Sequence, residues 1–83
     1  MKITLRYFAS LRETIGAGSE TVDTSAATLG ALRDELIARG GAHAEALDRG
    51  RMVRAALNQT MSDERATLAD GDEVGFFPPV TGG

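Results

Sequence analysis

The chain has 83 residues, a net charge of −3 and no cysteine. Its length allows one domain with a modest core. Because it has no cysteine, the chain can form no disulfide, thiol nucleophile or thiolate-bound metal site. Basic residues are spread along an acidic chain, which disfavours nucleic acid as a partner. No apolar run approaches the ~20 residues that span a bilayer, and no secretory signal pattern opens the chain. We therefore expect a cytoplasmic protein without membrane contact.

The N-terminal part predicts two strands with a short helix between them. Residues 2–8 alternate in side-chain character, which is typical of a half-buried strand, and Phe8 is out of phase with its apolar face. Residues 10–15 are predicted to form a short helix, and residues 20–23 a second strand.

The main helix is predicted to begin after Thr28, whose hydroxyl can cap the first turn. Its apolar stripe has helical spacing and consists of Leu29, Leu32, Leu36 and Ile37. We expect Arg33 to point away from this stripe. The glycine pair at 40–41 ends the helix, and residues 43–47 predict a further helical turn with His43 at the surface.

Two more strands are predicted before the end of the chain. Residues 52–57 read as the third strand of the sheet, and residues 58–60 as a turn. Met61 then begins a short strand at the edge of the sheet.

The final strand follows a turn at residues 70–72. Val74 and Phe76 are in phase as core residues, which leaves Gly75 and Phe77 on the opposite face. The proline pair at 78–79 ends the strand, because proline has no amide hydrogen for the ladder.

This order of elements predicts an α+β protein of the β-grasp, or ubiquitin-like, class. We expect a mixed sheet of four to five strands with one main helix packed on one face. The domain is predicted to cover residues 1–79, and residues 80–83 to form a flexible C-terminal tail.

Three segments resemble the small, sulfur-carrying subunit of molybdopterin synthase. They are the run at 68–83 that ends in Gly-Gly, the Asn-Gln-Thr at 58–60 and the start at 7–13. Gly75 and Met61 are modest departures from the family pattern in side-chain size. The resemblance covers both ends of the chain, and the predicted middle helix agrees with it in type and position.

The resemblance implies a chemistry of the C-terminus. The Gly83 carboxylate would be adenylated with ATP by an adenylyltransferase similar to ubiquitin-activating enzymes, and a sulfur donor protein would convert it to a thiocarboxylate. The tail would then enter the large synthase subunit, in a heterotetramer of two small and two large subunits. There it would give sulfur to a pyranopterin precursor to form the molybdopterin dithiolene. The resemblance implies no permanently bound cofactor, and catalytic groups on the large subunit.

The residues of the tail suit this chemistry. Gly82 and Gly83 lack a Cβ, so their backbone can enter a narrow channel. Pro78 and Pro79 favour an extended stem, which lowers the cost of ordering the tail on binding.

A second candidate site is an apolar patch on the uncovered face of the sheet. First and last strands are neighbours in a β-grasp sheet, so Phe8 and Phe77 can lie together there, with Met61 as a third member. The alternative is that the rings fold back into a small satellite core. The resemblance implies large-subunit contacts at these three positions and along the stem and tail, at Pro78, Pro79, Val80 and Thr81.

Other readings stay open. The chain could carry sulfur for thiamin or a thiolated tRNA base, modify protein lysines as ubiquitin does, or serve as a plain interaction domain. Arg12 and the acidic residues Asp70, Asp72 and Glu73 are either polar partner contacts or solvated surface. No metal-ligand spacing is present.

Overall fold

A computed structural model describes residues 1–79 and shows a five-stranded sheet with three helices. In chain order the elements are β1 (Lys2–Tyr7), α1 (Ala9–Ile15), β2 (Ser19–Asp23), α2 (Leu29–Ala38), α3 (Gly41–Leu47), β3 (Arg54–Leu57), β4 (Thr60–Ser62) and β5 (Glu73–Phe77). The predicted order of strands and main helix is confirmed. Within residues 1–79, no helix is long and apolar enough to cross a membrane.

The sheet has the order β2-β1-β5-β3-β4 and is mixed. The first and last strands lie side by side and are parallel, with Leu5 opposite Val74, while every other pair is antiparallel. This topology confirms the β-grasp prediction, and it brings the end of β1 next to the end of β5.

The core lies between one face of the sheet and the helices. The Thr28 hydroxyl accepts a hydrogen bond from the Ala31 amide at 3.2 Å, so α2 begins where its cap was predicted. The helix then buries the leucines at 29, 32 and 36. The sheet contributes Ile3, Leu5, Tyr7, Val74 and Phe76, all at most 2% exposed.

Arg33 is not where the helical pattern put it, because its side chain is buried rather than turned away from the core. Its Nε donates to the Leu47 carbonyl at 2.8 Å, and its Nη2 donates to the carbonyls of Asp48 and Arg51 at 2.7 and 3.0 Å. Its Nη1 pairs with Glu64 at 2.9 Å. These acceptors satisfy the guanidinium, which permits its burial.

The third strand is shorter than predicted and begins at Arg54 rather than at residue 52. The Val53 amide donates to the Arg51 carbonyl, so the chain makes a tight turn before it joins the sheet. Met52 therefore stands 78% exposed on this turn. After β3 the chain reverses through Asn58 and Gln59, which have φ values of 49° and 70°, as two-residue hairpins require.

Acidic side chains near β5 accept hydrogen bonds from other groups of the same chain. An Asp70 carboxylate oxygen accepts from the Lys2 amide at 2.6 Å, and Asp72 accepts from the Ala69 amide at 2.8 Å. Asn58 bridges Asp72 and the Glu73 amide. These side chains stabilise the turns that lead into β5.

Candidate partner-binding surface

Phe8 and Phe77 form a stacked pair on the open face of the sheet. Their ring centroids are 4.4 Å apart and their planes differ by 1°. Phe8 is 36% exposed and Phe77 is half-buried. The predicted adjacency of the two rings is confirmed, and they do not fold back into a core. That this pair contacts a partner stays a prediction.

Small residues form the floor of this surface. A Cβ placed on Gly75 would lie 3.1 Å from a Phe8 ring carbon and 3.3 Å from one of Phe77, so the glycine lets both rings lie close against the strand. Ala56 pairs in register with Gly75 on one side and with Met61 on the other. Residues paired in this way share a face of the sheet.

Met61 therefore lies on the open face as predicted, at the edge of the sheet and 50% exposed. Together, Phe8, Phe77 and Met61 with the floor of Gly75 and Ala56 form the open-face patch. Exposed apolar side chains grouped in this way are typical of a protein-binding surface.

Backbone geometry at Ala9 turns the chain after Phe8. Ala9 has φ 51°, in the left-handed region that alanine rarely adopts. The Phe8 amide donates to the Phe76 carbonyl at 3.2 Å, and the Phe8 carbonyl accepts from the Leu11 amide at 3.1 Å. These bonds fix Phe8 between β1 and α1. The sequence carried no signal for this conformation, because an alanine at a helix start usually has ordinary dihedral angles.

Arg6 borders the patch at the end of β1. Its guanidinium carbon lies 5.9 Å from the centroid of the Phe8 ring, within the range of a cation–π contact. Its Nη1 lies 3.9 Å from a Glu73 carboxylate oxygen. The edge of the apolar surface is therefore charged, as the rim of a typical interface is.

The stem of the predicted tail leaves from the same end of the sheet. Pro78 is half-buried and Pro79 is exposed. Two shallow clefts lined by Arg51 and Val53 border Pro79, and the one that also reaches Pro78 is lined by Ala9. The predicted tail residues Val80, Thr81, Gly82 and Gly83 lie outside the described residues.

His43 is half-buried rather than at the surface, because it belongs to a polar cluster. Its Nε2 lies 2.7 Å from Glu20, which also accepts from the Tyr7 hydroxyl and from Arg39, both at 2.9 Å. The His43 ring meets Tyr7 edge-on, with centroids 6.0 Å apart. These contacts join α2, α3, β1 and β2 on the side of the sheet away from the patch.

The cluster shifts the pKa values of its acids in opposite directions. Burial, and then the hydrogen bond to Glu20, raise the pKa of Tyr7 above its ordinary value. Burial would raise the pKa of Glu20 as well. Hydrogen bonds with His43, Arg39 and Tyr7 outweigh that effect and lower the Glu20 pKa to about 2. Glu20 is therefore ionised and Tyr7 neutral near neutral pH, which suits a structural cluster.

No group of three His, Asp or Glu side chains that could hold a metal ion occurs among residues 1–79.

The whole chain is similar to known sulfur carriers. A relative in Escherichia coli K12, a molybdopterin synthase sulfur carrier subunit, is 43% identical over 98% of this chain and 99% of the relative. SAMP1 of Haloferax volcanii, a small archaeal modifier protein, has a TM-score of 0.79 and 29% identity, with full coverage of both chains.

A second similar structure is a complex of subunits 1 and 2 of the molybdopterin-converting factor of Helicobacter pylori. It has a TM-score of 0.70 and 26% identity over the full length of both chains. The model of the ThiS family matches residues 5–83, from the first strand to the Gly-Gly end. The chain belongs to the ThiS family of ubiquitin-like proteins, together with the sulfur carrier subunits of molybdopterin synthase.

Proposed function

We propose that this protein is the sulfur carrier subunit of a molybdopterin synthase. The Gly83 carboxylate is adenylated with ATP by an activating enzyme, with release of pyrophosphate. Sulfide-level sulfur from a donor protein then displaces AMP and leaves a thiocarboxylate at the C-terminus. It then gives its sulfur to a pyranopterin precursor inside the large subunit. A carboxylate is a poor electrophile because its charge is spread over two oxygens, so adenylation is needed to supply a leaving group.

The observation that carries this proposal is the position of the open-face patch. The stacked rings of Phe8 and Phe77 lie at the end of β5, and the proline stem follows β5 directly. A large subunit that gripped the patch would therefore hold the stem beside it. The full-length likeness to molybdopterin synthase sulfur carrier subunits gives further support.

The test is incubation with the activating enzyme of the same organism, ATP and a sulfide source, followed by intact-mass measurement. The expected result is a mass gain equal to the replacement of one oxygen by sulfur. A variant without Gly83 should gain no sulfur and should unfold at the same temperature as the parent chain. An unmodified parent chain, or a sulfur-loaded truncated chain, contradicts the proposal.

A second candidate function is protein modification, which the likeness to SAMP1 favours. The same activated C-terminus would then form an isopeptide bond with a lysine of a target. Mass spectrometry of the protein from its native host separates the two functions, because a modifier yields larger conjugates and a sulfur carrier yields the free thiocarboxylate.

A further inference from the structure

Positive charge is distributed unevenly over this acidic chain. Arg6, Arg33, Arg39, Arg49 and Arg65 each pair with a carboxylate. Within residues 1–79, four exposed basic residues make no ion pair with a carboxylate: Lys2, Arg12, Arg51 and Arg54. Of these, only Arg51 and Arg54 are near each other in the sequence. Two unneutralised guanidinium groups thus stand close together in the chain, although the net charge is −3.

These two arginines border the stem of the tail. Arg51 lines both shallow clefts beside Pro79, and Arg54 lines one of them. Arg54 is also the register partner of Phe77, so it lies on the open face next to the stacked rings. We call Arg51 and Arg54 the stem arginines.

Hydrogen bonds on its buried side fix the loop that carries Arg51. The buried Arg33 donates to the Arg51 carbonyl at 3.0 Å, and the Arg51 amide donates to the Asp48 carbonyl at 2.9 Å. Fixing the loop lowers the entropy that a partner must remove on binding. These bonds use only the backbone of Arg51, and its side chain is exposed.

We propose that the stem arginines dock on an acidic surface of the activating enzyme, at the mouth of the site that receives the tail. This inference rests on the proposed function, which gives the tail two successive partners. A carrier must leave its activating enzyme after each cycle, and short-lived interfaces are smaller and more polar than lasting ones. Exposed charges at the edge of an interface act mainly on the association rate, which suits such a contact. The apolar patch is better suited to the lasting complex with the large subunit.

The test measures ATP–pyrophosphate exchange by the activating enzyme as the carrier concentration is varied. Arg51→Glu/Arg54→Glu should raise the KM for the carrier about tenfold or more at low salt, because attraction becomes repulsion. The kcat should stay unchanged, because charges at the edge of an interface act mainly on association and not on the chemical step. The difference in KM should shrink as salt is added, because exposed charges are screened.

The control is Lys2→Glu/Arg65→Glu, which changes the net charge equally at positions away from the stem. Its KM should stay near that of the parent chain. Arg51→Gln/Arg54→Gln provides a milder pair of changes, and its KM should lie between those of the parent and the glutamate variant. Thermal unfolding of each variant checks that the fold is kept.

An unchanged KM in the folded stem variants overturns the inference, as does an equal rise in the control. A KM defect that salt does not reduce also overturns it. So does a larger loss of affinity for the large subunit than for the activating enzyme. If the parent chain itself supports no exchange, the proposed function fails and this inference with it. If the parent chain supports exchange and the stem variant has the same KM, this inference is wrong but the proposed function is not affected.

Discussion

At the scale of single residues, Arg33 is the charged side chain that residues 1–79 bury. It is 5% exposed, and its donors join α2 to the segment between α3 and β3. Lysine cannot replace the planar guanidinium, because its single ammonium group sits on a flexible side chain and cannot donate in the same directions. Arg33→Lys should lower the free energy of unfolding by about 2–4 kcal/mol, because a buried acceptor left without its donor costs about 1–3 kcal/mol.

Chemical denaturation measures this loss, and Arg65→Lys is the matched control. The Arg65 side chain is 93% exposed and pairs only loosely with Asp63, at 3.4 Å, so its replacement should change stability by less than about 0.5 kcal/mol. Equal stability of the two variants would show that the bonds of Arg33 are not needed to hold the loop.

Glu20 gives the protein a pH-dependent stability. Its pKa is about 2 in the folded chain against an ordinary 4.5. The folded state therefore favours the ionised form of Glu20 more than the unfolded state does. The resulting stability is fully present above pH 4.5 and is lost as the pH falls from there through about 2. In Glu20→Gln, the free energy of unfolding should therefore decrease less steeply than in the parent chain as the pH is lowered over this range.

Urea unfolding at several pH values tests this expectation, with Glu45→Gln as the control on the exposed side of α3. The control should keep the slope of the parent chain. An unaltered slope in Glu20→Gln would show that other carboxylates carry the acid sensitivity.

Single buried polar residues were also the hardest to predict from sequence. A helical stripe identifies apolar residues, and Arg33 breaks that pattern by its charge. Its burial depends on carbonyls at residues 47, 48 and 51, which are placed only when α3 packs against α2. His43 was misread for the same reason, since its partner Glu20 lies on another element.

At the scale of elements, α2 was predictable because its cap and its leucines lie in one continuous segment. Leu36 is 1% exposed and packs in the core. Leu36→Ala should lower the free energy of unfolding by about 2–5 kcal/mol, through lost burial and the cavity left behind. Ile37→Ala, at a half-buried position of the same helix, should cost less. Denaturant titration compares them, and equal costs would mean that the helix is rotated from its assigned orientation.

The start of β3 was not predictable in the same way. Residues 52 and 53 are apolar and match a strand, but the bond from the Arg33 side chain to the Arg51 carbonyl ties the backbone into a turn. Long-range contacts of this kind override local strand preference.

At the scale of the whole molecule, the parallel pairing of β1 and β5 makes the candidate site. Alternation along each strand predicted that Phe8 and Phe77 share the open face, because side chains of a strand alternate between faces. Topology then brought the rings into contact. The same alternation predicted that Gly75 lies on this face. Only the register shows that Ala56 lies beside it, so that both small residues lie between the rings and Met61.

This arrangement predicts that binding and folding respond differently to loss of a ring. Phe77→Ala should lower stability by only about 1–2 kcal/mol, because the ring is half-exposed and stacks on one neighbour. It should weaken large-subunit binding by about 2 kcal/mol or more, as expected for an aromatic residue near the centre of an interface.

Calorimetry with the purified large subunit measures the affinity, and Phe8→Ala with the double variant completes a double-mutant cycle. The two losses should not add, because the rings contact each other. Glu45→Ala removes an exposed side chain of α3, on the side of the sheet away from the patch, and should leave that affinity unchanged. Equal affinities for Phe77→Ala and the parent chain would remove the stacked pair from the interface.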